Sequence, residues 1–154
     1  MRLWDWAGEA YARSGVEPLC LELQDDHLQS VPYLLWAAWA AASGRSLSEP
    51  QLHTGADIAK AWEEDVIGPL RKARRSLRAP VEGADTPGFP ALRHQVKGTE
   101  LAAERLLMES LEMMTPPRNR TAEAVEPALV RATLAFGRVV PAALLAQLAE
   151  RLPA

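Results

Sequence analysis

An uninterrupted apolar segment, residues 31–42, constrains the fold of this chain more than any other feature of its sequence. It reads Val-Pro-Tyr-Leu-Leu-Trp-Ala-Ala-Trp-Ala-Ala-Ala and contains no charged side chain. Ser30 suits a helix N-cap and Pro32 a first turn, so the segment predicts a helix that ends at Gly44. Because a helix that is apolar all round must be covered on every side, we expect it at the centre of the core. Its 12 residues are too few to span a bilayer.

Two amphipathic helices are predicted before this segment. Apolar residues recur at helical spacing from Leu3 to Tyr11, and Gly15 suits the left-handed conformation that commonly ends a helix. Pro18 then fits the first turn of a second helix, which we expect to run to about residue 28. The second helix is apolar on two sides, so we expect it to be well buried.

A long helix is predicted after the apolar segment. Ser48 and Gln51 match a capping box, and apolar residues then recur at spacings of three and four to about residue 78. Pro69 lies inside this pattern, so we expect a kink or break near Gly68. Three apolar residues of the last turns are expected to face the core: Leu70, Ala73 and Leu77.

Three further helices complete the predicted fold. Residues 79–90 hold three prolines and two glycines and predict a linker or ordered loop. Helices are expected over about residues 91–114, 121–136 and 141–152. The first of these has an inward apolar stripe at Leu92, Val96, Ala103, Leu107 and either Leu111 or Met114. The class is therefore all-α, a compact bundle of about five to seven helices. We expect a core domain over residues 1–115 and a helical extension, 116–154, packed on that core or on a partner.

The charge of the chain is small overall but unevenly distributed. The formal net charge is −3, which argues against a general nucleic-acid binder, because such domains carry a strong basic excess. Residues 1–30 carry two basic and six acidic side chains, whereas residues 68–105 carry eight basic and four acidic ones.

Cys20 is the only cysteine and no signal-peptide pattern opens the sequence, so we expect a cytoplasmic protein without disulfides or a membrane partner.

Short motifs in the first third of the chain resemble a known family. Residues 3–7 read Leu-Trp-Asp-Trp-Ala, residues 11–16 Tyr-Ala-Arg-Ser-Gly-Val and residues 20–25 Cys-Leu-Glu-Leu-Gln-Asp. With the apolar segment, they resemble a family of small uncharacterised proteobacterial proteins catalogued as a domain of unknown function. The resemblance covers about residues 3–44 and implies a bacterial, cytoplasmic, helical protein without an assigned activity. Family members commonly have Asp-Val-Asn where this chain has Ser-Val-Pro at residues 30–32, so a role of that Asp or Asn does not carry over.

A polar cluster at the end of the second helix, residues 24–27 (Gln-Asp-Asp-His), is the first candidate site. Its adjacent carboxylates lie where the helix dipole favours cations, and such departures from local rules tend to mark function. The cluster could bind a cation, a metal or a basic group of a partner. Alternatively, Asp25 or Asp26 caps the next helix or forms an ion pair with Arg13 or with a basic residue of 71–78.

One functional hypothesis places polar side chains of the first two helices in a pocket beside Trp36. In this pocket Asp25 would be a general base or a cation-binding carboxylate, and Arg13 would hold an anionic group. The protein would then be a small helical enzyme or a ligand-binding protein. The candidate pocket residues are Asp5, Tyr11, Arg13, Gln24, Asp25, Asp26 and Trp36.

The other hypothesis, which the sequence favours, is a non-catalytic protein-interaction or accessory factor. Five cations within eight residues would form its docking surface for another protein, with exposed aromatic residues as anchors. The sequence favours a core position for the tryptophans; Trp6 and Trp39 could lie off the main apolar stripes and are the better candidates for exposure. The dipole at a helix C-terminus also favours cations, which is a purely structural explanation. The candidate docking residues are Arg71, Lys72, Arg74, Arg75 and Arg78.

No element of the sequence predicts a cofactor or a metal site. Cys20 and His27 are about 10 Å apart along a helix, too far for the imidazole to activate the thiol, so we expect a buried, inert cysteine. His53 and His94 are isolated, and Asp25 and His27 point to different helix faces. Phosphate-binding loops and nucleophile motifs are absent from the sequence.

Overall fold

The computed structural model describes residues 1–78 and 87–154, which are helical without any strand and confirm the all-α class. One helical rod contains a π-helical turn, and when it is counted once these ranges hold seven helical rods, within the number expected. Of the predicted loop 79–90, residues 79–86 lie outside the described residues, and Phe89 and Pro90 already begin the next helix. In chain order the elements are α1 (Leu3–Ala12), α2 (Val16–Asp25), α3 (Val31–Ala42), α4 (Glu49–Trp62), the π turn (Glu63–Ile67), α5 (Gly68–Ser76), α6 (Phe89–Met113), α7 (Val125–Phe136) and α8 (Ala142–Arg151).

The apolar helix α3 lies at the centre, as its composition predicts. Eleven of its 12 residues are buried, and it packs against α1, α2, α4, α6 and α7. Truncating a large buried side chain to alanine costs about 3–5 kcal/mol, a sizeable part of the roughly 5–15 kcal/mol that stabilises a domain. The buried rings of Tyr33, Trp36 and Trp39 therefore contribute much of the stability of the bundle.

Two of these rings also bind neighbouring elements through their polar atoms. The Tyr33 hydroxyl lies 3.1 Å from the carbonyl oxygens of both Leu52 in α4 and Ala132 in α7, and it can donate to either. The Trp36 indole N–H donates to the Thr115 hydroxyl oxygen just after α6 (2.6 Å). Since a buried polar group left unpaired costs about 1–3 kcal/mol, these bonds favour one arrangement of α4, α6 and α7 around α3.

An extended segment, residues 115–124, crosses the C-terminal end of α3. The backbone N–H groups of Asn119 and Arg120 both donate to the Gly44 carbonyl oxygen (3.0 Å each). Because the segment makes these contacts outside a helix, α7 begins at Val125 and not at about residue 121, where the sequence predicts its start.

The predicted N-caps are confirmed where the sequence placed them. The Ser30 hydroxyl oxygen accepts a hydrogen bond from the Tyr33 backbone N–H (3.4 Å) at the start of α3. Ser48 and Gln51 exchange both hydrogen bonds of a capping box (2.8 and 3.3 Å). Each cap satisfies backbone donors that the first turn of a helix leaves free.

The predicted break before Pro69 takes the form of the π turn. The Gly68 N–H donates to the Glu63 carbonyl oxygen, one residue further back than in an α-helix. A Cβ at Gly68 would lie 2.5 Å from that oxygen, so glycine is required at this position. Proline has no N–H to donate and crowds the carbonyl one turn before it, and a local π turn absorbs this conflict. The rod therefore continues through the proline with a change of pitch.

The last two helices pack on the same core. α7 lies against α3 and α4, and the Phe136 ring centroid is 5.4 Å from that of Tyr33. α8 packs against α7 and α2, and the Arg13 guanidinium donates to the Leu152 carbonyl oxygen beyond its end (3.2 Å). Across the described ranges, no helix has both the length and the apolar character needed to cross a membrane.

Trp6 and Trp39, the tryptophans that the sequence made the better candidates for exposure, both lie in the core. They are 5% and 2% exposed, because they lie side by side where α1 packs on α3. The Trp39 indole N–H also donates to the Met1 carbonyl oxygen (3.2 Å). The partly exposed tryptophans are instead Trp4 and Trp62.

The predicted inward face of α5 is found only at Leu70, which packs against the core. α5 buries no residue; Leu70 and Leu77 are half-buried and Ala73 is exposed. The side of α5 that meets α6 carries Arg71 and Arg74, whose guanidinium groups pair with carboxylates there. Leu70 therefore keeps part of the apolar contact that the sequence pattern predicted, and ion pairs replace the rest.

Gly44→Ala is expected to destabilise the protein much more than Gly137→Ala. Both glycines have positive φ, 70° and 85°. A Cβ at Gly44 would lie 2.2 Å from the Arg120 carbonyl oxygen, whereas one at Gly137 meets nothing within 4 Å. Positive φ costs a side chain about 1–2 kcal/mol and overpacking a further 1–3 kcal/mol or so. Urea unfolding should therefore show losses of about 2–5 kcal/mol for Gly44→Ala and about 1–2 kcal/mol for Gly137→Ala. Equal losses would show that the 115–124 segment does not pack on Gly44.

Candidate functional site

An apolar groove of about 320 Å³ lies between α1 and α6, and we call it the α1–α6 groove. Residues three and four apart share one face of a helix, so each wall is a single helical stripe. Of the seven lining residues, Glu104 alone is charged. The α1 wall consists of Trp4, Ala7, Gly8 and Tyr11, and the α6 wall of Leu101, Glu104 and Met108.

Gly8 and Trp4 shape the α1 wall. Gly8 lies inside α1, where glycine costs about 0.5–1 kcal/mol relative to alanine. Gly8 is exposed where it lines the groove, and a Cβ added there would meet nothing within 4 Å. The Arg105 guanidinium lies over the Trp4 ring, 5.5 Å from its centroid, and also pairs with Glu109 (3.0 Å).

Next to Glu104, four charged side chains form an ion cluster between the π turn, α5 and α6. Arg71 pairs with Glu63, and its Nε lies 3.5 Å from a Glu100 oxygen. Arg74 donates from Nε and Nη2 to both oxygens of Glu100 (2.5 and 3.3 Å). The Arg71, Arg74 and Glu100 side chains are only 11%, 15% and 9% exposed. We call Glu63, Arg71, Arg74 and Glu100 the ion cluster; its members other than Glu63, which is 33% exposed, are largely shielded from water.

Glu104 lies one turn after Glu100, between the ion cluster and the groove. Burial and the neighbouring carboxylates of Glu100 and Glu63 raise the pKa of Glu104 to about 7, against the opposing effect of Arg71 and Arg74. Among the described residues Glu104 has no ion pair and no hydrogen bond. Arg71 and Arg74 pair with the other two glutamates, and the buried Arg71 Nε forms no hydrogen bond with any of the described residues. A carboxyl group that changes charge near neutral pH therefore stands at the polar end of an apolar groove.

Tyr11 and Cys20 complete this polar end. Tyr11 is 39% exposed as a residue, but its hydroxyl is buried beside the Cys20 thiol. Burial, with the nearby Cys20 and Glu104, raises the pKa of Tyr11 well above its usual range, and burial raises the pKa of Cys20 to about 12. Both groups therefore keep their protons at neutral pH, and a thiol that stays protonated is a poor nucleophile.

The structure does not bring the predicted pocket residues together. Trp36 is fully buried in the core, and Arg13 reaches the Leu152 carbonyl oxygen after α8. Asp5 is exposed in the first turn of α1. Of the candidate pocket residues, only Tyr11 lines the α1–α6 groove.

The acidic cluster at the end of α2 adopts one of the structural alternatives. Asp25 pairs with Arg75 (2.9 Å) and accepts a hydrogen bond from the Gln24 amide (3.1 Å). Partial burial acts against ionisation, but these bonds outweigh it and lower the pKa of Asp25. Asp26 is exposed and ends α2. Asp25 therefore has a satisfied structural environment.

Three of the five candidate docking cations are engaged within the chain. Arg71 and Arg74 belong to the ion cluster, and Arg75 pairs with Asp25. The exposed side of α5 forms an open depression of about 430 Å³ without apolar walls, lined by Gly68, Arg71, Lys72, Arg75 and Ser76. The two cations that stay exposed, with no ion pair among the described residues, are Lys72 and Arg78.

Sequence reasoning missed Glu63, Glu100 and Glu104. The sequence did contain a signal for Glu100, because this residue fills the position between Val96 and Ala103 in the apolar stripe of α6. A glutamate in an apolar stripe is rarely buried unless it is paired. That position therefore pointed to buried cations from another helix.

The arrangement is suited to holding a ligand by contact and charge. It offers apolar walls, one titratable carboxyl group and one protonated hydroxyl. Within the described part of the chain, no three His, Cys, Asp or Glu side chains converge in a way that could hold a metal ion.

Comparison with known proteins gives a family match. The model of a family described as "Protein of unknown function (DUF2390)" matches residues 2–111, well over half of the chain. The matched range includes both walls of the α1–α6 groove and the whole ion cluster. No curated protein and no solved structure matches the chain.

Glu100→Gln is expected to destabilise the protein strongly. The change deprives Arg71 and Arg74 of their shared carboxylate where little water can replace it. Removing one partner of a buried pair costs about 3–5 kcal/mol, and the partial exposure of this cluster reduces our expectation to about 2–4 kcal/mol. The control Glu109→Gln breaks an exposed pair on the same helix and should cost about 0.5 kcal/mol or less. Urea unfolding of both variants measures the difference in their free energies of unfolding. Small and equal losses of stability in the two variants would contradict the proposed role of the ion cluster.

Stability is expected to fall as the pH rises from about 5 to about 8, and Glu104→Gln should remove part of that fall. The folded-state pKa of about 7 exceeds the usual value of 4.5, so the native state binds this proton more tightly than the unfolded chain. The resulting stabilisation is complete below about pH 4.5 and is lost as the pH rises through 7. Urea unfolding at about pH 8 should find the glutamine variant more stable by on the order of 2 kcal/mol, with little difference at about pH 5. A difference that does not change with pH would refute this assignment.

Proposed function

We propose that this chain, which belongs to the DUF2390 family of proteins of unknown function, is a non-catalytic binding protein for a small amphipathic molecule. The apolar part of the ligand would lie in the α1–α6 groove. The observation that carries the proposal is the groove itself, whose apolar walls end at the titratable carboxyl group of Glu104. An apolar pocket with a few converging polar groups and a shifted pKa is the usual form of a small-molecule site.

The size of the groove favours a small ligand over a docked protein. Its volume of about 320 Å³ lies at the lower end of the range of roughly 300–1,000 Å³ for small-molecule sites. A stable protein interface buries about 800 Å² on each partner, which is more than two short helical stripes offer. The ligand-binding hypothesis therefore gains support, although at a different place from the pocket that the sequence suggested.

The groups around the groove favour binding over catalysis. The Cys20 thiol is buried and protonated, and Tyr11 keeps its proton. Glu104 has no hydrogen-bonded partner among the described residues that would make it one member of a catalytic pair. Apolar contact and charge therefore remain as the means of recognition.

A protein-interaction role through residues 71–78, which the sequence favours, receives less support from the geometry. Three of its five cations would have to leave intramolecular carboxylates before they met an acidic protein or a phosphate. The free energy needed to break the shielded ion pairs of Arg71 and Arg74 is larger than the free energy gained by forming an exposed ion pair with a partner. This role stays a prediction.

Gly8→Leu is expected to weaken ligand binding strongly without unfolding the protein. Gly8 is exposed and lines the groove, and a Cβ there meets nothing within 4 Å, so the added side chain can lie over the groove without a clash. Octanol is a suitable neutral probe, because its alkyl chain matches the apolar walls. In ¹⁵N-labelled wild-type protein, octanol should shift the Trp4 indole N–H signal in a saturable way. The variant should bind at least about tenfold more weakly, because the leucine occupies volume that the probe needs.

The matched control is Gly98→Leu in α6. A Cβ at Gly98 also meets nothing within 4 Å, but Gly98 is exposed and does not line the groove. This variant should bind octanol as the wild type does. The proposed function is wrong if the wild type does not bind octanol, or if Gly8→Leu binds it as well as Gly98→Leu.

A further inference from the structure

We infer that the ligand of the α1–α6 groove is an organic cation, a small amine with an apolar body, whose ammonium group pairs with Glu104. This inference rests on the proposed function and adds the charge of the ligand. The apolar body would lie along the helical stripes of α1 and α6, and the ammonium group would reach the polar end of the groove.

The first argument is an incomplete charge balance. Around the ion cluster, three carboxyl groups share two guanidinium groups, and the arginines engage only Glu63 and Glu100. Glu104 is left without a counter-ion in a place from which water is partly excluded. A partly buried carboxylate without a partner is unfavourable, so a cation from outside the chain would complete the cluster.

Other arginines near the groove are already engaged. Arg105 follows Glu104 directly, but its guanidinium lies over the Trp4 ring and pairs with Glu109. Arg75 pairs with Asp25. Residues 79–86 contain no Lys, Arg or His in their sequence.

The second argument is the chemistry of the walls. Trp4 and Tyr11 present aromatic rings to the groove, and the faces of such rings attract cations, as the Arg105 guanidinium over the Trp4 ring illustrates. Leu101 and Met108 opposite them offer contacts for an alkyl or aryl body. An anionic ligand would instead meet the Glu104 carboxylate, with a second carboxylate one helical turn behind it. The walls and the polar end therefore favour the same class of molecule.

The charge of Glu104 makes the pairing depend on pH. Its pKa of about 7 means that the carboxylate forms as the pH rises through neutrality, whereas an alkyl amine stays protonated to about pH 10. An amine should therefore bind more tightly at higher pH, and a neutral alcohol should not. The titratable and charged groups that face Glu104 come from α1, the π turn, α5 and α6. They are Tyr11, Glu63, Arg71, Arg74 and Glu100, and the Cys20 thiol of α2 lies behind Tyr11.

Three probes with the same alkyl chain, octylamine, octanol and octanoate, test the charge of the ligand. At about pH 8, octylamine should bind the wild-type protein about tenfold more tightly than octanol, as expected for a hydrogen bond between charged groups, and octanoate more weakly than octanol. The preference for the amine should largely disappear at about pH 5.5 and in Glu104→Gln. The Trp4 indole signal reports binding in every titration.

Asp57→Asn is the matched control, because it removes one negative charge from an exposed position on α4 away from the groove. It should keep the full preference for octylamine. Octanol binding in the groove without a preference for octylamine, or a preference that survives Glu104→Gln, overturns the inference and leaves the proposed function standing. Failure of all three probes to bind overturns both.

A lysine side chain of a partner protein carries the same ammonium group, so its contribution is tested separately. Nα-acetyl-lysine amide should bind more weakly than octylamine, because its shorter apolar stem fills less of the groove. Equal or tighter binding of the lysine derivative would overturn the assignment to a small amine.

Discussion

The burial of α3 on every side is the constraint on which the rest of the structure depends. An apolar helix without a polar face must be covered completely, so α1, α2, α4, α6 and α7 all pack on it, and α5 and α8 join through those neighbours. Tyr33 and Trp36 add directional bonds to this covering. Because α1 and α6 are both held against α3, their outer faces meet at a fixed separation, and the α1–α6 groove lies between them.

α5 is attached to the bundle by different means. It has no fully buried residue, only Leu70 packs against the apolar core, and the ion cluster joins α5 to α6. Buried ion pairs seldom stabilise a protein more than apolar residues of similar volume would, so stability alone does not account for this arrangement. What the ion cluster does determine is the environment of Glu104. It supplies like charges, and it engages the two arginines that would otherwise neutralise that carboxyl group.

The parts of the fold that the sequence could predict are those that local rules decide. The central helix, the caps at Ser30 and Ser48 and the disturbance before Pro69 each follow from a few neighbouring residues. How deeply Trp6 is buried and which side chains of α5 face the core depend on the helix that packs against each of them. The spacing of residues along one helix does not contain that information. The groove could not be predicted for the same reason, since neither of its two stripes is a site without the other.

Two residues of the groove are unfavourable for the stability of the empty protein. Gly8 weakens α1 where an alanine would fit, and Glu104 keeps an unpaired carboxyl group partly buried. They lie on different helices, yet one opens the space and the other sets the charge of the same groove. A ligand that binds only the folded state adds its binding free energy to the stability of that state. A cation at Glu104 would therefore offset the instability of this carboxylate most at high pH, where the ionised group is least favourable, so ligand affinity and stability are linked through one side chain.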